Sequence, residues 1–271
     1  MMQQRTARHD GVAIHYTVEG EGYPIVILPS LGRGPADYDE LARLLAKQGF
    51  KVVRPVPRGL HGSGTGAAST DLTLHDYARD VSAVIRVEGN PDAIIAGHAL
   101  GNFVARTTAA DFPDLVRGVA LLAASAGKAP QGQASISDDV LESVYQSGNL
   151  SLSDEERLTH LQKAFFAPGN DPSVWLTGWY PELKVIQSAA WRATPIDDYF
   201  AAGSVPLLDL QAAQDTVAPR RFAHYLKETL GEQRVTVQVI QDAGHALIPE
   251  QPETVARTLG AWASELVTNT K

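Results

Sequence analysis

Short apolar runs, separated by segments with helical spacing, constrain the fold of this 271-residue chain more than any other feature. A short run that is apolar throughout and ends in turn residues is typical of a strand buried on both faces. Such runs in alternation with helices predict an α/β fold, in which a mainly parallel sheet is covered by helices on both faces. The predicted strands span 12–18, which alternates like a half-exposed strand, and then 23–29, 50–56, 92–96, 116–122, 205–210 and 235–240.

One long segment, 128–194, interrupts this alternation. It contains helical patterns and several aromatic residues but no convincing buried strand. We therefore predict a single α/β core, formed by 1–127 and 195–271, with a helical cap inserted at 128–194. The glycine-rich stretch 58–66 is predicted to be a plain flexible loop, because it lacks the lysine of a phosphate-binding loop and does not open a helix.

Composition argues against several classes of function. The formal net charge of −8 argues against general nucleic-acid binding, and the absence of cysteine excludes disulfides and thiolate metal sites. No signal peptide is evident, and no stretch approaches the roughly 20 apolar residues of a membrane span. His61, His98 and His160 lack the spacing of metal ligands and are assigned no catalytic role. We expect a soluble, cytoplasmic protein that is a monomer or a homodimer.

The sequence Gly97-His98-Ala99-Leu100-Gly101 directly follows a predicted strand and precedes a helical pattern. This layout is that of the G-x-S-x-G nucleophile elbow, except that alanine replaces the serine. The two glycines are needed because bulkier residues would collide with the adjoining strand and helix. Ala99 therefore stands at a nucleophile position, and the first N–H groups of the helix lie where negative charge would develop.

Two later segments contain an acid and a base. Asp215 follows the predicted strand at 205–210, where an aspartate either caps a turn or orients an imidazole. His245 follows Gly244 beyond the last predicted strand. The order of position 99, Asp215 and His245 is the order of nucleophile, acid and histidine in the α/β-hydrolase superfamily. The chain resembles that superfamily over nearly its whole length.

The resemblance implies the remaining parts of a hydrolase site. Pro29-Ser30-Leu31 stands where the superfamily has its oxyanion loop, so the N–H groups of Leu31 and Leu100 are assigned to the oxyanion hole. The implied activity is that of a serine carboxylic-ester hydrolase acting on a small-molecule ester or lactone. No metal and no organic cofactor are implied.

Aromatic residues of the predicted cap are candidates for an apolar roof over the site, which would suit a hydrophobic or aromatic substrate. Aromatic residues at this density are also typical of packing. The candidates are Phe165, Phe166, Trp175, Trp179 and Trp191. Arg33, near the oxyanion loop, is interpreted either as a contact for a substrate carboxylate or as a solvated side chain.

The alanine at position 99 has a direct chemical consequence. A methyl group cannot attack a carbonyl carbon, so the chain is predicted to be nearly inactive in acyl transfer. Either a serine of the parent enzyme has been replaced, or the chain is a non-catalytic binding protein or receptor on a hydrolase scaffold. The presence of Asp215, His245 and the oxyanion loop together favours replacement.

The same residues bear on two other chemistries, one with an aspartate nucleophile and one that is not a hydrolysis. Relatives with an aspartate nucleophile usually carry tryptophan directly after it, whereas this chain has Leu100. A lyase or a cofactor-free oxygenase stays open as a further hypothesis, because one triad serves several chemistries.

Overall fold

A sheet of eight strands forms the centre of the molecule. The computed structural model describes residues 2–64, 71–128, 136–222 and 224–268. The strands are β1 (Gln3–His9), β2 (Val12–Glu19), β3 (Tyr23–Leu28), β4 (Phe50–Pro55), β5 (Ala93–His98), β6 (Val116–Leu122), β7 (Leu207–Ala212) and β8 (Val235–Ile240). They lie in the order β1-β2-β4-β3-β5-β6-β7-β8. The pairs β1–β2 and β2–β4 are antiparallel, and the other pairs are parallel.

Helices cover both faces of the sheet. They are α1 (Asp39–Lys47), α2 (Leu74–Val87), α3 (Leu100–Asp111), α4 (Asp138–Ser147), α5 (Asp154–Ala164), α6 (Pro181–Ala193), α7 (Ile196–Tyr199), α8 (Tyr225–Leu230), α9 (Leu247–Glu250) and α10 (Pro252–Thr268). Short 3₁₀ turns lie at Pro35–Tyr38, Pro113–Leu115, Pro172–Trp175 and Arg220–Phe222.

Two apolar clusters pack on opposite faces of the sheet. Ile94 of β5 packs with Leu41 of α1 and with α10, whereas the next residue, Ile95, packs with Val84 of α2 and with α3. Successive strand residues point to opposite faces, so a strand covered on both sides must be apolar throughout. The predicted fold, a mainly parallel sheet between two helical layers, is thus confirmed.

Strand β1 was not predicted from the sequence. Its sequence, Gln-Gln-Arg-Thr-Ala-Arg-His, is polar, and among its residues only Ala7 is buried. It pairs antiparallel with β2, from Gln3 opposite Val18 to His9 opposite Val12. An edge strand of this kind is held by backbone hydrogen bonds and one buried side chain, so it lacks the apolar pattern that reveals an inner strand.

Four helices, α4 to α7, lie between β6 and β7. The first three, α4 to α6, lie within 128–194, where the sequence predicts a helical cap, whereas α7 lies just beyond it. In the described part of this segment, side chains of α4, α5 and the Pro172–Trp175 turn form an apolar cluster that includes Val140, Leu161 and Trp175. Residues 129–135 of the predicted cap lie outside the described residues. The boundaries at 128 and 194 stay predictions.

The glycine-rich loop lies partly within the described residues. From Arg58 to Gly64 it is a hydrogen-bonded turn, in which Gly64 N–H donates to Ala13 of β2 and Ser63 Oγ accepts from the His15 N–H. Its last two residues, 65 and 66, lie outside the described part. Among the helices that the structure describes, none has the length and apolarity to cross a membrane.

Candidate active site

The turn between β5 and α3 has the strained backbone of a nucleophile elbow. Ala99 has φ 47° and ψ −111°, a conformation that non-glycine residues rarely adopt. A Cβ atom on Gly97 would lie 2.3 Å from the Gly101 carbonyl oxygen, and one on Gly101 would lie 2.4 Å from the Leu28 carbonyl oxygen. These contacts explain why glycine stands at both positions.

Replacing Gly101 with alanine tests this account of the elbow. The new methyl group would collide with the backbone of β3, which cannot move as a side chain can. We expect Gly101→Ala to lower the free energy of unfolding by about 3 kcal/mol, measured by urea denaturation. Gly34→Ala is the control, because the nearest atoms there are side-chain carbons at 3.2 and 3.4 Å. Equal losses in both variants would contradict the account.

His245 and Asp215 form a buried hydrogen-bonded pair. His245 Nδ1 lies 3.1 and 2.9 Å from the two carboxylate oxygens of Asp215. The side chains are 4% and 1% exposed, so little water competes for this contact. The Oδ1 atom of Asp215 also accepts from the N–H groups of Val217 and Ala218, at 2.8 and 2.7 Å. A carboxylate held in this way keeps the proton on Nδ1 and leaves Nε2 of His245 free to accept one.

A second buried histidine ties the elbow to the His245 loop. His98 is fully buried, and its Nε2–H donates to the His245 carbonyl oxygen at 2.8 Å. Its Nδ1 accepts from the Tyr38 hydroxyl at 2.8 Å, and that hydroxyl accepts from the Ser30 N–H at 3.0 Å. Burial lowers the pKa of His98 to about 3 and raises the pKa of Tyr38 well above its usual value, so both stay neutral. This chain of hydrogen bonds joins the oxyanion loop, the elbow and the base.

The lowered pKa of His98 makes the fold sensitive to acid. Between pH 6.5 and 3 the unfolded chain binds a proton at this residue and the folded chain does not, so stability falls as the pH falls. From pH 7 to pH 5 this residue alone should remove about 2 kcal/mol of unfolding free energy.

The His98→Gln variant tests this sensitivity, because a glutamine amide can make both hydrogen bonds and does not titrate. Between pH 7 and pH 5, we expect the unfolding free energy of the variant to fall by about 2 kcal/mol less than that of the present chain, as measured in urea titrations. Equal losses in the two proteins would show that His98 is not the acid-sensitive group. The other histidines are common to both proteins and cancel in the comparison.

The two N–H groups assigned to the oxyanion hole have no hydrogen-bond partner within the described residues, whereas both neighbours of Leu31 do. On one side of Leu31, the Ser30 N–H donates to Tyr38; on the other, the Gly32 N–H donates to Gln187 Oε1 of α6 at 2.8 Å. Leu100 is the first residue of α3, where N–H groups have no partner within the helix. The positive end of the helix dipole favours an anion there.

Ala99, His245, Leu31 and Leu100 all line one cavity, which we call the main cavity and which has a volume of about 270 Å³. Most of its wall is apolar. Phe165 lies beside His245, and Trp179 lies beside Phe165. A stacked pair, Phe103 with Trp191 at 5.4 Å between ring centroids, forms another part of the wall. The dimensions and lining suit a small hydrophobic ligand.

The aromatic candidates divide into two groups. Phe165, Trp179 and Trp191 line the main cavity. Phe166 and Trp175 do not: both are buried in the apolar cluster of the helical segment, with their ring centroids 5.5 Å apart. For these two residues the packing interpretation replaces the substrate-binding one.

Arg33 is neither solvated nor at the main cavity. It is 1% exposed, forms two hydrogen bonds with Asp37 at 2.6 and 2.8 Å, and donates to the Thr177 carbonyl oxygen. Its guanidinium lies over the rings of Trp175 and Trp179, at 4.7 and 4.6 Å. Both predictions for this residue are therefore corrected: Arg33 holds the helical segment against the oxyanion loop.

Glu250 fixes the loop that carries His245, a role that sequence analysis did not assign. One carboxylate oxygen accepts from the Gly244 N–H, and the other accepts from the Ala167 N–H and the Asn170 amide, all at 2.7 Å. Burial raises the pKa of this carboxyl group. Within the described residues, no group of three or more His, Cys, Asp or Glu is arranged to hold a metal ion.

Comparisons with known proteins point to one fold family. The sequence profile of the family described as alpha/beta hydrolase fold matches residues 23–252. A pyrethroid hydrolase from Sphingobium wenxiniae is 28% identical over 254 residues, which cover 88% of this chain and 86% of that protein. A putative non-heme haloperoxidase from Mycobacterium phage D29 is 31% identical over 119 residues, which cover 44% of this chain and only 42% of that protein.

A solved structure shows the same fold. The crystal structure of a putative aryl esterase from Burkholderia cenocepacia superposes with a TM-score of 0.76, covers 98% of this chain and 100% of its own, and is 21% identical. At this identity the superposition shows a common fold only.

Proposed function

Because the chain belongs to the α/β-hydrolase fold family, we propose that its site is built to hydrolyse a carboxylic ester, and that Ala99 stands where the active parent enzyme has its nucleophilic serine. One observation carries the proposal. The elbow residue lines the same cavity as a histidine whose Nδ1 is held by a buried aspartate. That arrangement has no use in packing alone, and it is what activation of a hydroxyl nucleophile requires.

In the active form, the serine Oγ attacks the ester carbonyl carbon while His245 Nε2 accepts its proton. Asp215 stabilises the imidazolium, and the N–H groups of Leu31 and Leu100 stabilise the oxyanion. The alcohol then leaves with the proton from His245. Water next attacks the carbonyl carbon of the acyl–serine ester and gives a proton to His245. The bond between that carbon and the serine Oγ then breaks, the carboxylic acid is released, and His245 returns the proton to Oγ.

The substrate class follows from the wall of the main cavity. Phe103, Phe165, Trp179 and Trp191 favour a hydrophobic or aromatic ester, including a lactone. The similarity to a protein named pyrethroid hydrolase supports a hydrolytic activity.

Ala99 itself favours a second candidate, a ligand-binding protein on the same scaffold. The test compares the present chain, which has Ala99, with its Ala99→Ser variant on chromogenic esters that differ in acyl length and bulk. Turnover by the serine variant alone would support the hydrolase. If the folded variant is inactive and both forms bind ligands equally, the hydrolase proposal is wrong and the binding protein takes its place. Product formed without net hydrolysis would point to a lyase or an oxygenase.

A further inference from the structure

Helix α6 presents two cations to the main cavity, most of whose wall is apolar. Lys184, Ser188, Trp191 and Arg192 lie on one face of this helix, at helical spacing, and all four line the main cavity. No Asp or Glu lines the cavity within the described residues. The cavity wall thus combines aromatic surface with positive charge that has no counterpart of opposite sign.

Neither cation has an ion-pair partner or a side-chain hydrogen bond within the described residues. Arg192 is exposed to solvent, where a cation needs no partner, whereas Lys184 is partly buried. Several other buried or partly buried cations of this chain are paired, as Arg33 is with Asp37 and Arg58 with Asp80. The Lys184 ammonium lies 4.7 Å from the centre of the Tyr145 ring, and Tyr145 also lines the cavity. Lys184 is partly buried, and burial without a counter-charge lowers its pKa. A ligand anion would relieve that cost.

Lys184 also lies next to the oxyanion loop. A Cβ atom on Gly32 would be only 2.9 Å from Cβ of Lys184, and α6 is tied to the same glycine by the hydrogen bond from Gly32 N–H to Gln187. The Lys184 ammonium is therefore no further from the oxyanion loop than the length of a lysine side chain. A charged group held by Lys184 would be part of the same small molecule as the ester.

We propose that Lys184 binds a carboxylate of the ligand, so that the preferred substrate is a hydrophobic ester that carries an ionised carboxylate a short apolar spacer away from the ester group. Arg192 lies about two helical turns further along α6 and adds positive charge to the same wall. The inference rests on the proposed ester hydrolysis and defines its substrate class more narrowly. A single carboxylate suits the site because Lys184, the partly buried cation, contributes one charge and most of the surrounding wall is apolar. The carboxylate belongs to the acyl part or to the alcohol part of the ester.

Binding to the present chain tests the charge directly, without turnover. Titration calorimetry would compare 4-phenylbutyrate with its neutral amide, 4-phenylbutanamide. We expect the carboxylate to bind about 10-fold more tightly, an advantage that Lys184→Met removes and that high salt weakens. Lys47→Met is the matched control, because Lys47 is exposed on α1 and its removal changes the net charge equally. Equal binding of acid and amide, or an equal effect of both substitutions, would overturn the inference.

Turnover by Ala99→Ser separates this inference from the proposed function. The first pair of esters is mono-4-nitrophenyl glutarate and 4-nitrophenyl valerate, with the charge on the acyl part. The second is 4-carboxyphenyl acetate and phenyl acetate, with the charge on the alcohol part. A lower KM for the charged ester of either pair, lost in Lys184→Met, supports the inference. Hydrolysis of all four without preference overturns it and leaves the esterase proposal standing.

Hydrolysis of none of the four, together with Lys184-dependent binding of 4-phenylbutyrate, would overturn the esterase proposal and leave an anion-binding cavity. Lys184→Gln is the second variant, for use if the methionine variant folds poorly. This substitution removes the charge and keeps a polar end group. If Lys184→Gln also loses the preference for the carboxylate, that loss is due to the charge.

Discussion

Ala99→Ser is expected to hydrolyse short aryl esters with a kcat about 10⁴- to 10⁶-fold above that of the present chain. The reason is that the strained turn, the oxyanion donors and the Asp215–His245 pair are assembled around a methyl group. Ala99 lines the main cavity, so a hydroxyl on its Cβ would lie beside the ligand. A hydroxyl nucleophile added to this preorganised site should raise kcat, because the substrate is held close to it and His245 is positioned as its base.

The present chain should retain a small activity above the uncatalysed rate, because the oxyanion donors and the binding wall do not depend on residue 99. Ala99→Gly is the matched control for the serine variant. Glycine tolerates the positive φ of this position but has no nucleophile, so it should remain inactive. Mass spectrometry of Ala99→Ser during turnover should show an acyl group on residue 99. An active variant acylated elsewhere would contradict the assignment of the nucleophile.

The inner strands and the elbow could be predicted because their physical requirements are local. A parallel strand covered by two helical layers must be apolar along its buried part, and the runs 25–28 of β3, 93–96 of β5 and 119–122 of β6 meet that condition. The elbow requires glycine at 97 and 101, since any Cβ there would collide with backbone atoms. Where the immediate surroundings allow only one type of residue, the sequence pattern alone is enough to predict the structure.

The rest of the site depends on partners that are far apart in the chain. His98 contacts the carbonyl of His245, and Gly32 contacts Gln187 of α6. Nothing near either residue indicates these contacts. The burial of Arg33 could not be predicted for the same reason, because Trp175 and Trp179 enclose it from a distant helical segment. Such contacts follow from the fold and cannot be derived from local spacing.

Asp215→Asn, introduced into Ala99→Ser, is expected to lower kcat by about 10³- to 10⁴-fold with little change in KM. In the structure, Asp215 Oδ1 accepts from two backbone N–H groups while Oδ2 lies 2.9 Å from His245 Nδ1. An asparagine would direct its carbonyl oxygen at those N–H groups. Its NH₂ group would then face His245 Nδ1, which must become an acceptor.

That change moves the histidine proton from Nδ1 to Nε2, the atom that has to accept the serine proton. The base is lost, although the shape of the site and its binding wall are unchanged. Raising the pH cannot restore the activity, because an amide does not ionise in this range. Asp114→Asn, on the exposed Pro113–Leu115 turn, is the matched control and should leave kcat unaltered. If Asp215→Asn kept full kcat, Asp215 would be a structural residue, and His245 would need another group to orient it.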